Sequence, residues 1–192
     1  MSFESVTRSY LKKFQAICKS AYAEGSKSTE LVTRPIVHKY IEDLVTLWKK
    51  NEALIETIHE QQYTKTDRPD WRIEDSTTFG IFCFGDQKNL SLKSKFNLSN
   101  KDKEQIDRYL ELGRPVFVFD GIEFLFFKER NSLPVRSKII PKPLSLDEDW
   151  SLKKISQDTE IYFRKLLDNP GFRKWTEPQL IEQLAIRSRF IA

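Results

Sequence analysis

Asp70, Asp86 and Lys88 are the side chains on which this 192-residue sequence could build a reaction. Asp70 stands at the mouth of one β-rich segment, WRIED. Fifteen residues separate it from Asp86, at the end of a second such segment, FGIFCFGDQ, and Lys88 follows two positions later. STT between the segments supplies a turn, so the spacing predicts adjacent antiparallel strands whose outer ends meet. Positions 86 and 88 then share a face, because side chains alternate along a strand. Two carboxylates so placed suit a hard cation such as Mg²⁺, which takes oxygen ligands and keeps several waters. Such an ion can polarise a phosphodiester and acidify water. Lys88 can orient the attacking water and offset charge in the transition state. Without chemistry the same trio is a surface ion pair at a hairpin end, and spacing alone leaves both readings open.

The remaining elements must hold that trio in place. Apolar residues at Phe3, Val6, Tyr10, Phe14, Ile17, Cys18 and Ala21 predict a helix from Phe3 to about Glu24, and GSKST breaks it. Thr29 or Ser28 can cap a second helix running to about Lys50, with Pro35 in its tolerant early part. ALIETIHEQQYT fits neither a strand nor a helix period well. The segment FGIFCFGDQ is nearly all apolar, as a central strand covered on both faces would be. SNKDKEQIDRYLELG reads as a helix capped by Ser99 and stopped by Gly113. PVFVFDGIEFLFF reads as two strands joined at Asp120-Gly121. The stretch SLPVRSKIIPKPLSL is expected to be irregular, with helical stretches near Thr159–Leu167 and Glu177–Phe190. The fold class is α/β, a sheet with helices packed on it.

Composition narrows the function classes. Hydrophobic residues are 39 % and aromatics 12 %, enough for a sizeable core. No apolar run approaches the ~18 residues that cross a bilayer, so no membrane partner and a cytoplasmic location are expected. Two cysteines, Cys18 and Cys83, and two histidines, His38 and His59, give no metal spacing of the zinc kind and no Ser-His-Asp triad. The net charge of +4 is mild but unevenly spread. Residues 87–101 hold four lysines (Lys88, Lys93, Lys95, Lys101) and no acid. Residues 128–142 hold five basic residues against Glu129, and 146–160 reverse the sign. The two basic stretches are either a local binding surface or solvated loops.

Pro69-Asp70, followed after an apolar strand by Asp86-Gln87-Lys88, resembles the PD-(D/E)xK signature of restriction-endonuclease-like nucleases, with Asp where Glu is commoner. Gln105-Ile106-Asp107-Arg108-Tyr109 is similar to the Q-x-x-x-Y motif of RecB-like nucleases and type I restriction R subunits. STELVTRPIV looks like the T-E-h-x-x-R-P start of the first core helix in the N-terminal nuclease domains of type ISP and type IIG restriction-modification enzymes. The resemblance covers about Thr29 to Lys128. It implies a restriction-endonuclease-like core, a central mixed sheet flanked by helices, and a Mg²⁺-dependent endodeoxyribonuclease, with Mn²⁺ as substitute.

Carried over by residue, the resemblance makes Asp70 and Asp86 metal ligands, Lys88 the catalytic lysine and Glu30 a first-helix carboxylate near the metal. Glu30 is otherwise a first-turn acid favoured by the helix dipole, and Glu60 is a weaker rival for its role. Gln105 and Tyr109 would support the site or touch DNA; Tyr109 is otherwise a core aromatic. Lys93 and Lys95 would contact the phosphates of double-stranded DNA. Gly85 would let the backbone approach the metal or the DNA, or else mark a bulge.

Residues 1–145 are expected to form the nuclease-like domain. Residues 146–192 would be a helical extension, the start of a connector to methyltransferase and target-recognition domains acting in cis or trans. Two rivals stand beside this reading. One is a catalytically inactive DNA-binding or assembly module of the same fold. The other is an interaction protein with an exposed aromatic patch around Trp150, Phe163, Phe172 and Trp175.

Overall fold

A computed structural model describes residues 2–25, 28–47, 55–59, 68–75, 80–93 and 95–167. Two long helices open the chain, α1 (Phe3–Ala23) and α2 (Thr29–Leu47). Three strands follow: β1 (Ile55–His59), β2 (Trp71–Asp75) and β3 (Ile81–Gln87). Helix α3 (Asn100–Glu111) then leads to β4 (Val116–Phe119), β5 (Glu123–Phe127) and β6 (Val135–Lys138). A short 3₁₀ turn at Trp150–Leu152 precedes α4 (Asp158–Leu167).

The strands form one sheet in the order β1-β2-β3-β4-β5-β6. β3 and β4 run parallel, and the other neighbouring pairs are antiparallel. A parallel pair needs a crossover, which α3 supplies. α1 and α2 share a core with Trp71, Phe117, Phe119 and Phe124 on one face of the sheet. α3 packs Ile106, Tyr109 and Leu110 against Phe84, Val116, Val118 and Leu125 on the other. The architecture is therefore the expected mixed α/β sheet flanked by helices.

The β2–β3 pairing contains an irregularity that decides where the chemistry points. Ile73 faces Cys83 while Glu74 faces Ile81, so Phe82 has no partner across the ladder. Phe82 and Cys83 consequently both enter the α1/α2 core. From Cys83 onward alternation resumes, which puts Phe84 and Asp86 on the α3 face and Gln87 on the α2 face.

Several expectations need correcting. Ile55–His59, ambiguous in sequence, is a strand. Val135–Lys138, expected to be irregular, pairs with β5 as the sheet's sixth strand. The bulge lies at Phe82, not at Gly85. Gly85 is required instead by packing, since a Cβ there would fall 2.2 Å from the Phe117 ring. Trp150 and Phe163 are fully buried in the α1/α2 core, so they form no exposed aromatic patch. Gln15 on α1 accepts from the Trp150 backbone N–H, tying that turn to the core. Phe172, Trp175, Glu60 and the expected helix at 177–190 lie outside the described residues, as does the expected extension beyond Leu167; its earlier part, with Trp150, Ile155 and Phe163, packs into the α1/α2 core. Among the described residues no helix is long and apolar enough to cross a membrane.

Candidate active site

The outer ends of β2 and β3 meet, as the spacing predicts, because the strands pair antiparallel with Trp71 opposite Gly85. Asp70 precedes Trp71, and its Oδ2 accepts from the backbone N–H of Gln87 at 2.6 Å. That bond joins the two strand mouths and sets Asp70 beside Asp86. Both carboxylates are nearly buried. Lys88 Nζ lies 2.5 Å from Asp86 Oδ2 and 3.0 Å from Asp102 Oδ1. The same ammonium donates to Gln105 Oε1 at 3.1 Å, and Gln105 Nε2 donates to the Tyr109 hydroxyl at 2.7 Å. Four-residue spacing puts Gln105 and Tyr109 on one face of α3, and that face looks onto Lys88.

Helix α2 is stitched to the chain just after β3. Asn89 Oδ1 accepts from the Glu30 backbone N–H at 3.1 Å and from the Ser28 hydroxyl at 2.9 Å. It thereby serves the first turn of the helix from across the fold. Thr29 Oγ1 in turn accepts from the Leu90 N–H. Gln87 Nε2 donates to the Glu30 carbonyl and the Thr33 hydroxyl. These bonds hold the first turn of α2, with Glu30, against the strand ends. Arg34, one turn on, lies 3.2 Å from Glu30 Oε1 and 3.5 Å from Asp70 Oδ1.

Electrostatics follow from this crowding. Burial and the neighbouring Asp70 push the Asp86 carboxyl up to about 7, against the pull of Lys88. Burial and Asp70 also raise Glu30, with Lys88 and Arg34 opposing. Burial disfavours the Lys88 ammonium, yet Asp86 and Asp102 outweigh it and hold the lysine firmly protonated. Burial raises the Tyr109 hydroxyl, helped by the charge on Asp86.

Asp70, Asp86, Lys88, Glu30, Gln105 and Tyr109 therefore converge on one place. Tyr109 is 1 % exposed, so it faces Gln105 and not solvent. Lys93 and Lys95 are exposed and border a cleft of about 630 Å³ that Glu30, Lys88 and Asp102 also line. Reasoning from sequence missed Arg34, Asn89 and Asp102. Arg34 stands in the T-E-h-x-x-R-P pattern, though no role is legible from it, and Asp102 is the N3 residue of the capping box that Ser99 opens.

No protein-family model matches the chain, and no curated protein does. Seven chains of known structure match it. The cryo-EM structure of a DrdV–DNA complex aligns with 85 % of this chain and 14 % of its own, at 14 % identity and a TM-score of 0.51. The type IIG restriction endonuclease BpuSI aligns over 72 % of this chain and 16 % of its own, at 14 % identity and a TM-score of 0.44. The likeness is one of fold. The chain spans less than a fifth of either neighbour's length.

The donor set at the strand mouths suits a hard divalent cation. Asp70 and Asp86 offer only oxygen, and a cation would relieve the repulsion that raises Asp86. Among the described residues, however, no three His, Cys, Asp or Glu side chains form a ready-made metal cluster. The acids are balanced by Lys88 and Arg34.

Proposed function

We propose that this chain is a metal-dependent endodeoxyribonuclease module of a restriction system, cleaving phosphodiesters of double-stranded DNA. The observation that carries this reading is the convergence of Asp70, Asp86 and Lys88 at two adjacent strand ends, on a fold similar to part of DrdV, a protein solved in complex with DNA. Asp70 and Asp86 would hold Mg²⁺, or Mn²⁺ in its place, with Glu30 reaching the same ion or its water. A divalent cation there supplies Lewis acidity, which polarises the phosphodiester and acidifies water.

The chain's own residues do the rest. Lys88, permanently charged, orients the nucleophilic water and meets the negative charge that grows on the phosphate. Gln105 holds the lysine at its Nζ, and Tyr109 holds Gln105. Lys93 and Lys95, on the lip of the cleft, bind phosphates, so they position the duplex without reading it. Sequence specificity then belongs to methyltransferase and target-recognition domains, in cis or in trans.

Calorimetric titration of Mn²⁺ into the chain, alone and with a short duplex, tests the reading. Saturable binding that Asp70→Ala removes is expected, as is loss of duplex cleavage in Lys88→Ala with DNA affinity kept within about threefold, since a positioning group adds little to ground-state binding. Full cleavage by Lys88→Ala would refute the assignment. One observation favours a second reading, a DNA-binding module without activity: protein cations already balance the carboxylates. Duplex binding without any saturable metal binding would select it.

A further inference from the structure

A second cavity, of about 700 Å³, opens beside the first, and Lys95 lines both. Arg136 and Lys138 of β6 form one wall, and Lys154 faces them from the segment before α4. In sequence Lys154 sits within an acidic stretch, but the fold sorts those charges. Glu148 pairs with Lys153, and Asp149 turns its carboxylate onto Ser151. Two acids line the groove. Glu123 is already bonded to Arg136 at 2.9 Å and lies 3.5 Å from Lys142. Asp158 stands in the first turn of α4.

Arg136 is held in place in this groove and only partly used. Arg136 donates through Nη1 to Glu123 Oε1 and to the Phe96 carbonyl, each at 2.9 Å, and its Nη2 and Nε have no partner among the described residues. Glu123 Oε2 accepts from the Phe96 N–H at 3.1 Å. The wall between the two cavities is thus pinned from β5 and β6, which fixes Lys95 where they meet. Lys95 and Lys154 are exposed and without ionic partners among the described residues.

We propose that this groove is a second subsite for the DNA backbone, taking the phosphates of duplex that leaves the cleft past Lys95. The proposal rests on the nuclease reading above for the identity of the polymer. It assigns Lys138 and Lys154 to phosphates several base pairs from the scissile bond, where each contact adds affinity and salt dependence but no base recognition.

Fluorescence anisotropy in metal-free buffer separates the possibilities. A duplex of about 8 base pairs, roughly 27 Å long, fills the cleft, and one of about 20 extends beyond it. For Lys138→Glu/Lys154→Glu, affinity for the longer duplex should fall about tenfold, with a salt slope shallower by about 2. Affinity for the shorter one should stay within about twofold of wild type, because no phosphate reaches the groove. Lys12→Glu/Lys13→Glu, an equal change of net charge on α1, should leave the length difference intact. Lys138→Gln/Lys154→Gln, with unchanged circular dichroism, should show a similar loss in slope, since the same two phosphates are released, with a smaller loss in affinity. Equal losses on both duplexes, or a double variant that binds both like wild type, would overturn the subsite alone. A wild-type chain that binds neither duplex at low salt would overturn the subsite and the DNA reading together.

Discussion

Asp86 carries a charge that the fold resists. Its carboxyl is pushed from 3.8 to about 7 by burial and by Asp70, more than Lys88 can offset. A carboxyl raised in the folded state stabilises the fold while it is protonated, so its contribution is whole below the unfolded value of 3.8 and is lost as pH climbs through about 7. Asp86→Asn is neutral at every pH and escapes that loss. Lys88 keeps Asp102 at 3.0 Å and Gln105 at 3.1 Å in the variant, so its ammonium is not stranded. In metal-free buffer the variant should be the more stable at pH 8, by on the order of 3 kcal/mol, and the two proteins should converge near pH 4. Urea unfolding at the two pH values checks this. A wild type as stable as the variant at pH 8 would mean that Lys88 fully compensates Asp86. The same raised carboxyl is one that a divalent cation would bring back down, so added Mn²⁺ should narrow the gap at pH 8.

The segment from Gln87 to Leu90 joins a strand to a helix far away in sequence. Asn89 supplies the acceptor that the first turn of α2 needs, and Glu30 is positioned through it. Asn89→Ala should cost about 1 kcal/mol, as loss of a helix cap does. Asn89→Asp keeps the oxygen and should restore most of it, the added charge being favourable at a helix N-terminus. Urea midpoints of the two variants against wild type measure both effects, and an alanine variant as stable as wild type would deny the cap its role. This junction also marks where the sequence stopped being readable. Asp70, Asp86 and Lys88 were legible because their placement depends on strand alternation and one short turn. Gln105 and Tyr109 were legible because helical spacing fixes their common face. Arg34 and Asn89 were not, since their roles depend on how α2 is docked against β3 across 59 positions of chain. Local period says nothing about that docking. Val135–Lys138 escaped notice for a related reason: Pro134 and the two prolines that follow broke the pattern, while the strand itself is set by pairing with β5.

The net charge of +4 is almost uninformative until folding distributes it. Of the basic residues in 128–142, Lys142 has a side chain with no exposure and pairs with Asp120 at 2.5 Å. Arg130 pairs with Glu111. That stretch is thus less of a surface than its composition implies. The 87–101 loop is the opposite case. Lys88 turns inward, while Lys93, Lys95 and Lys101 are exposed and lack ionic partners among the described residues. Glu123 and Asp120 anchor that loop by accepting from the Phe96 and Ser91 N–H groups, so its lysines project from a fixed backbone. Lysines held this way recognise phosphate charge and no base edge. Two consequences follow for the isolated chain. Duplexes of unrelated sequence but equal length should bind with affinities within about threefold at matched salt, because backbone contacts carry no sequence information. Lys93→Ala/Lys95→Ala should weaken binding to all of them alike and make the salt slope shallower by about 2, close to 0.9 for each phosphate released. Anisotropy titrations across salt concentrations on two such duplexes measure both quantities. A slope that did not move would take these lysines out of the interface. A strong preference for one duplex would place base recognition within these 192 residues and remove the need for a separate specificity domain.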